Sequence, residues 1–79
     1  MLKKEKAVIL IVDDHEDLAY TLKTILEREG YRADLAFDGT NALGMELVYP
    51  YDAVILDMKL PDMDGTDLIK KLLEFNPYQ

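Results

Sequence analysis

The period of apolar positions divides the chain into six segments. Ala7 to Val12 (AVILIV) is an unbroken run of apolar, mostly branched residues ended by acid. It is too short for a helix and reads as a strand buried on both faces. From Glu16 to Glu29, Leu18, Leu22, Ile25 and Leu26 fall at helical spacing between charged residues, and Gly30 supplies the stop. Tyr31 to Phe37 (YRADLAF) alternates instead, with Tyr31, Ala33, Leu35 and Phe37 on one side, which predicts an edge strand partly open to water. Asp38 and Gly39 turn the chain, and Asp38 is placed to cap a helix that carries Ala42, Leu43 and Leu47 to about Val48, where Pro50 ends it. Ala53 to Leu56 (AVIL) predicts a second fully apolar strand. Thr66 to Phe75 then puts Leu68, Ile69, Leu72 and Leu73 on one helical face before Asn76 and Pro77 terminate it.

Strand and helix therefore alternate three times, without a tandem repeat or a low-complexity tract. Such alternation predicts an α/β fold in which right-handed crossovers build a parallel sheet with helices on both faces. The alternating strand suits an edge, whereas the two apolar strands want neighbours, so the expected order is 2-1-3. The third strand then has an unpaired outer side, and nothing in AVIL charges or blocks it. Self-association is expected, either by two-fold pairing of third strands or by exchange of elements between chains, giving a homodimer or swapped oligomer.

Composition narrows the function. Seventy-nine residues make one small domain, and a chain of that size buries only ~60–65% of its unfolded surface. The absence of cysteine excludes a disulfide framework and a thiolate metal site and suits a reducing, cytoplasmic setting. A net charge of −7 opposes nonspecific attraction to nucleic acid or anionic lipid and favours a cation or a basic protein surface as partner. No apolar run reaches the ~18–20 residues of a membrane span. Lys3, Lys4 and Lys6 precede only a short apolar run, which reads as neither a signal peptide nor an anchor.

Acid is concentrated where strands end. Asp13 and Asp14 follow the first predicted strand and Asp57 follows the third. Ligand sites in parallel sheets lie outside the carboxyl ends of the strands, and neighbouring strands are only ~4.8 Å apart. Three carboxylates brought together there repel unless a cation intervenes. An oxygen-rich cluster suits Mg²⁺, which could hold a phosphoryl group against one carboxylate acting as nucleophile. Blander readings stand beside this one. Asp14 could be a turn residue or the N-cap of the first helix, and Asp62 and Asp64 read as loop solvation and capping, with Gly65 allowing a sharp entry to the last helix. His15 reads as an exposed residue at a helix start before a ligand or a phosphate acceptor. Lys59 reads as a solvated side chain whose backbone carbonyl matters more, and Met58 and Met63 read as packing residues.

Together IVDDHEDL, FDGTNAL and ILDMKLPDMDG resemble the receiver domain of two-component response regulators, which accepts a phosphoryl group from a histidine kinase. The resemblance implies a doubly wound, flavodoxin-like fold. It makes Asp57 the phosphoacceptor, Asp14 a direct Mg²⁺ ligand, Asp13 an acid bound directly or through water, and Lys59 the source of a coordinating carbonyl. Pro61 and Gly65 resemble the family's loop-shaping residues. A receiver has five strand–helix units in the order 2-1-3-4-5, and residues 1–79 supply three, so the expectation is one partial receiver domain. The later Ser or Thr, the later Lys and the switch aromatic are outside the sequence, and Thr66, Lys70 and Lys71 lie on the wrong helix to replace them. Comparable catalytic donors are worth ~3–4 kcal/mol, so weak or no phosphorylation is expected, with no enzymatic turnover. The alternative is a self-assembling half-domain, engineered or naturally truncated, with a structural role. A phosphatase with an aspartate nucleophile is disfavoured because such enzymes use D-x-D, and a P-loop enzyme because no G-x-x-x-x-G-K-[ST] occurs.

Overall fold

A computed structural model describes residues 6–75 of the chain. In order it contains strand β1 (Val8–Val12), helix α1 (Glu16–Arg28), strand β2 (Arg32–Ala36), helix α2 (Gly39–Val48), strand β3 (Ala53–Leu56) and helix α3 (Gly65–Phe75). The sheet is parallel with order β2-β1-β3, so the chain adopts three strands and three helices of a flavodoxin-like fold. The proposed terminators Asn76 and Pro77, and the basic start Lys3 and Lys4, lie outside the described residues.

Every residue of β1 is buried, as a run of apolar residues at the centre of a sheet requires. Its side chains divide by parity. Val8, Leu10 and Val12 join Ala42, Tyr51 and Leu68 in one core under α2 and α3, while Ile9 and Ile11 join Ala19 and Ala33 in a second core under α1. Each Val, Leu or Ile among them contributes ~1.5–3 kcal/mol when fully withdrawn from water, and each Ala less. β2 obeys the same alternation, since Ala33, Leu35 and Phe37 pack toward α1 and Ala36 packs on the opposite side. Asp34 shares the parity of Ala36, and the hydroxyl of the buried Tyr51 donates to its carboxylate at 2.7 Å.

β3 departs from expectation. Its AVIL run predicts burial, but its residues alternate between exposed and half-buried. Val54 and Leu56 pack on the α2–α3 core, whereas Ala53 and Ile55 face the other side, and Ile55 keeps 41% of its surface exposed. The reason is the position of α1, which packs over β2 and β1 and leaves that side of β3 largely uncovered.

Local chemistry sets the ends of the helices. α1 closes with a Schellman motif, in which Tyr31 N–H donates to the Leu26 carbonyl at 3.0 Å and Gly30 N–H to that of Glu27 at 3.2 Å. Gly30 has a φ of +94°, which a side-chain-bearing residue rarely adopts. Asp38 caps α2 as predicted, its carboxylate accepting from Asn41 N–H at 2.7 Å. Asp14 does not cap α1. His15 holds that position, without a side-chain cap bond.

A candidate acidic metal and phosphoryl site

The register of the sheet brings the acids together. Val12 pairs with Ala36 on one side and Leu56 on the other. The ladder then continues, with Asp13 N–H donating to the Ala36 carbonyl at 3.0 Å and Asp57 N–H to that of Val12 at 2.9 Å. Asp13 continues the parity of Ile9 and Ile11, and Asp57 that of Ala53 and Ile55, so both side chains leave the same face of neighbouring strands. Asp14 and His15 follow in the turn into α1. One ligand atom from each of Asp13, Asp14, His15 and Asp57 lies within 4.8 Å of all the others.

Exposure falls across the cluster. The Asp13 side chain keeps 12% of its surface, that of Asp57 26%, that of Asp14 39% and that of His15 70%. Burial would raise the Asp13 carboxyl, but bonds from the His15 N–H at 2.9 Å and the His15 ring at 2.8 Å outweigh it, and its pKa is lowered. His15 moves the other way, chiefly through its bond to Asp13 and then the charge of Asp14. Among the described residues, His15 supplies all the ion pairs made by these three acids. Three converging carboxylates with one exposed imidazole fit a small divalent cation, because their charge demands compensation and their oxygens are hard donors.

The loop after β3 fixes the candidate acceptor. Lys59 N–H donates to Asp57 Oδ1 at 3.1 Å, which holds the carboxylate and lays the residue-59 backbone against it. The Lys59 side chain is exposed, as expected. The loop closes through an isolated bridge between Lys59 and Asp64, and through Gly65 N–H donating to the Met58 carbonyl at 2.7 Å. Closure at this distance requires glycine, since a Cβ on Gly65 would lie 2.8 Å from Met58 Cα and 3.0 Å from the Asp57 carbonyl oxygen. Met63 packs on the core as read, but Met58 is 51% exposed because it rides on the outside of this loop.

Asp62 caps a helix, as read, but the helix is α2 and not the one that follows it. Its carboxylate accepts from Gly39 N–H at 2.8 Å, Thr40 N–H at 2.9 Å and Thr40 Oγ1 at 2.6 Å. It therefore caps α2 across the structure instead of merely solvating its own loop. The bond from Thr40 Oγ1 is the largest cause of its lowered pKa. Asp52 was missed. Its Oδ2 accepts from Val8 N–H at 2.7 Å, and its own N–H donates to the Val8 carbonyl at 2.8 Å, tying the start of β3 to the start of β1. An acid directly before a strand was the signal available for Asp52, whereas nothing in the sequence pointed Asp62 to α2.

Similarity to known proteins agrees with this geometry. The family described as "Response regulator receiver domain" matches residues 9–79. The chain is 44% identical over 72 residues to "Sensor protein EvgS" of Escherichia coli, covering 91% of this chain and 6% of that protein. It is 44% identical over 64 residues to "Response regulator GtcR" of Aneurinibacillus migulanus, covering 81% of this chain and 26% of the relative. The receiver domain protein (CheY-like) of Methanospirillum hungatei superposes with a TM-score of 0.89 at 36% identity, over 92% of this chain and 58% of the other. That of Methylobacillus flagellatus gives 0.84 at 41% identity, over 86% and 58%. The chain thus spans less than a third of these curated relatives and somewhat over half of these solved domains.

Proposed function

The chain belongs to the receiver family of two-component response regulators, and from that premise we propose that it serves phosphorelay signalling by accepting a phosphoryl group on Asp57. The observation that carries this reading is the convergence of Asp13, Asp14 and Asp57 at the carboxyl end of the sheet. Asp13, Asp14, Asp57 and the Lys59 backbone carbonyl would hold Mg²⁺, which supplies the positive charge that a phosphoryl group needs among three acids. His15 stays outside that oxygen set.

One Asp57 carboxylate oxygen attacks phosphorus, the bond from phosphorus to the donor breaks, and its electron pair leaves with the donor. The product is an acyl phosphate on Asp57. Lys59 N–H holds the Asp57 carboxylate through Oδ1 during this step, and the tight Gly65 turn keeps the loop from swinging away. The donor is a histidine kinase phosphohistidine or a small acyl phosphate, and the chain is an acceptor without independent turnover, placed in the cytoplasm. Among the described residues no Lys or Arg pairs with the cluster, so labelling is expected to be slow.

Intact-protein mass spectrometry after incubation with Mg²⁺ and acetyl phosphate tests the reading. A single phosphoryl adduct that disappears in Asp57→Asn supports it, and labelling that persists in the variant overturns the assignment. The open side of β3 favours a second reading, in which the chain mainly self-assembles and its acids are idle. That reading is favoured if no Mg²⁺ binds and no adduct forms while the protein associates.

A further inference from the structure

The geometry points to a fourth ligand in this site: we propose that His15 Nδ1 makes it a mixed nitrogen–oxygen centre that takes Co²⁺, Ni²⁺ or Zn²⁺ more tightly than Mg²⁺. The inference rests on the reading of Asp13, Asp14 and Asp57 as a cation site.

The direction of the ring is the first support. His15 sits at the N-cap of α1 with φ −84° and ψ 93°, and its side chain is 70% exposed, so packing does not force it inward. A hydrogen bond between Nδ1 and Asp13 Oδ1 at 2.8 Å sets the ring instead, and it leaves the same nitrogen 3.3 Å from Asp14 Oδ1 and 3.7 Å from Asp57 Oδ2.

Spacing is the second. Donors ~2.0–2.1 Å from a common ion lie ~3.0 Å apart at adjacent octahedral corners and ~3.3 Å apart at tetrahedral ones. The three nitrogen-to-oxygen distances bracket both values, and all four donor atoms lie within 4.8 Å of one another, so an ion entering the cluster can reach the imidazole after side-chain adjustment.

The third support is donor chemistry. Mg²⁺ prefers oxygen and keeps several waters, whereas imidazole nitrogen suits the later divalent transition ions. Carboxylates alone favour those ions over Mg²⁺ modestly, and a nitrogen donor widens the gap. His15 therefore changes which ion the site selects without altering the oxygen set assigned to phosphoryl transfer.

His15 is the sole histidine in the chain, which makes the test unambiguous with untagged protein. Co²⁺ and Mg²⁺ are titrated calorimetrically against the full chain, His15→Gln and Asp57→Asn, and the Co²⁺ complexes are examined by paramagnetic proton NMR. We expect one exchangeable, hyperfine-shifted imidazole N–H in the original chain and none in His15→Gln. Co²⁺ affinity should fall about 10- to 100-fold in His15→Gln, the range for losing a group that supports a bound metal, while Mg²⁺ affinity stays the same. Asp57→Asn should weaken both ions. Equal Co²⁺ affinity with and without His15, beside normal Mg²⁺ binding, overturns the inference and leaves the phosphorelay reading standing. Co²⁺ held by His15 but indifferent to Asp57→Asn is an isolated surface imidazole and also overturns it. Failure of both ions to bind removes the metal reading together with it.

Discussion

Glu46 illustrates how a single α2 residue can depend on packing that no local pattern announces. Its Oε1 is shielded and has no hydrogen-bond partner among the described residues, and burial raises its pKa. An acid whose folded pKa is raised costs stability above that value and costs nothing below the unfolded one, where both states are protonated. Glu46→Gln should therefore stabilise the chain at neutral pH by up to about 1 kcal/mol, a small figure because the side chain is only partly buried. The gain should shrink as pH falls through the ordinary glutamate range, near ~4.3. Urea denaturation at pH 7 and pH 4 measures both, and an unchanged midpoint at pH 7 contradicts the account. Asp13, Asp14 and Asp57 were legible in the sequence because Asp13 and Asp57 directly follow apolar runs and Asp14 comes next in line, and the end of a strand is itself a location. Glu46 was not, since its environment comes from α3 and the start of β3, with Asp52, Ala53 and Ile69 lining the same hollow.

Between elements, the junction of the β3–α3 loop with α2 matters most. The free N–H groups at the start of a helix attract a carboxylate, and α2 uses two, Asp38 from its own turn and Asp62 from a loop 23 residues beyond Gly39. The same junction packs Met63 against Gly39, where a Cβ would lie 2.5 Å from the Met63 side chain. Because the Asp62 pKa is lowered, its contribution is full above the unfolded value of ~3.9 and is lost as pH falls through the folded one. Asp62→Ala should destabilise the protein at pH 6, and the difference from the original chain should narrow below pH ~4. A gap that stays constant to low pH would show that the carboxylate charge is not what α2 recognises. Element type and order were readable because hydrophobic period reports how a segment is buried, and Asp38 was readable as a cap because that cap is local. The target of the Asp62 cap was hidden because it spans two loops, and the alternative reading of Asp14 as the N-cap of α1 fails because that position falls one residue later, at His15.

For the molecule as a whole, the sheet is finished on one side only. β2 is an edge by composition, whereas β3 is apolar, lacks a strand on its outer side among the described residues, and shows Ile55 to solvent. Val54, Ile69, Leu72 and Leu73 border a hollow of about 180 Å³ beside it. A second copy placed along β3 would cover these groups, and the thermal midpoint should then rise with protein concentration by mass action. Sedimentation velocity should show reversible association that Ile55→Lys weakens. A single monomeric species over a wide concentration range, insensitive to Ile55→Lys, rejects self-association. Sheet order was predictable because β1 and β2 advertise opposite needs for cover. The half-exposed state of β3 was not, because it depends on where α1 lies and not on β3's own residues. This one-sided cover also sets how the fold breathes. Amides of β1 bond to β2 or to β3 and lie under helices on both faces, so their deuterium uptake is expected to follow global unfolding, while in the unassociated chain alternate amides on the outer edge of β3 are expected to exchange fastest in the sheet. Asp57 stands at the end of that edge strand, so the candidate acceptor is expected to share the lower protection of β3 and not that of β1.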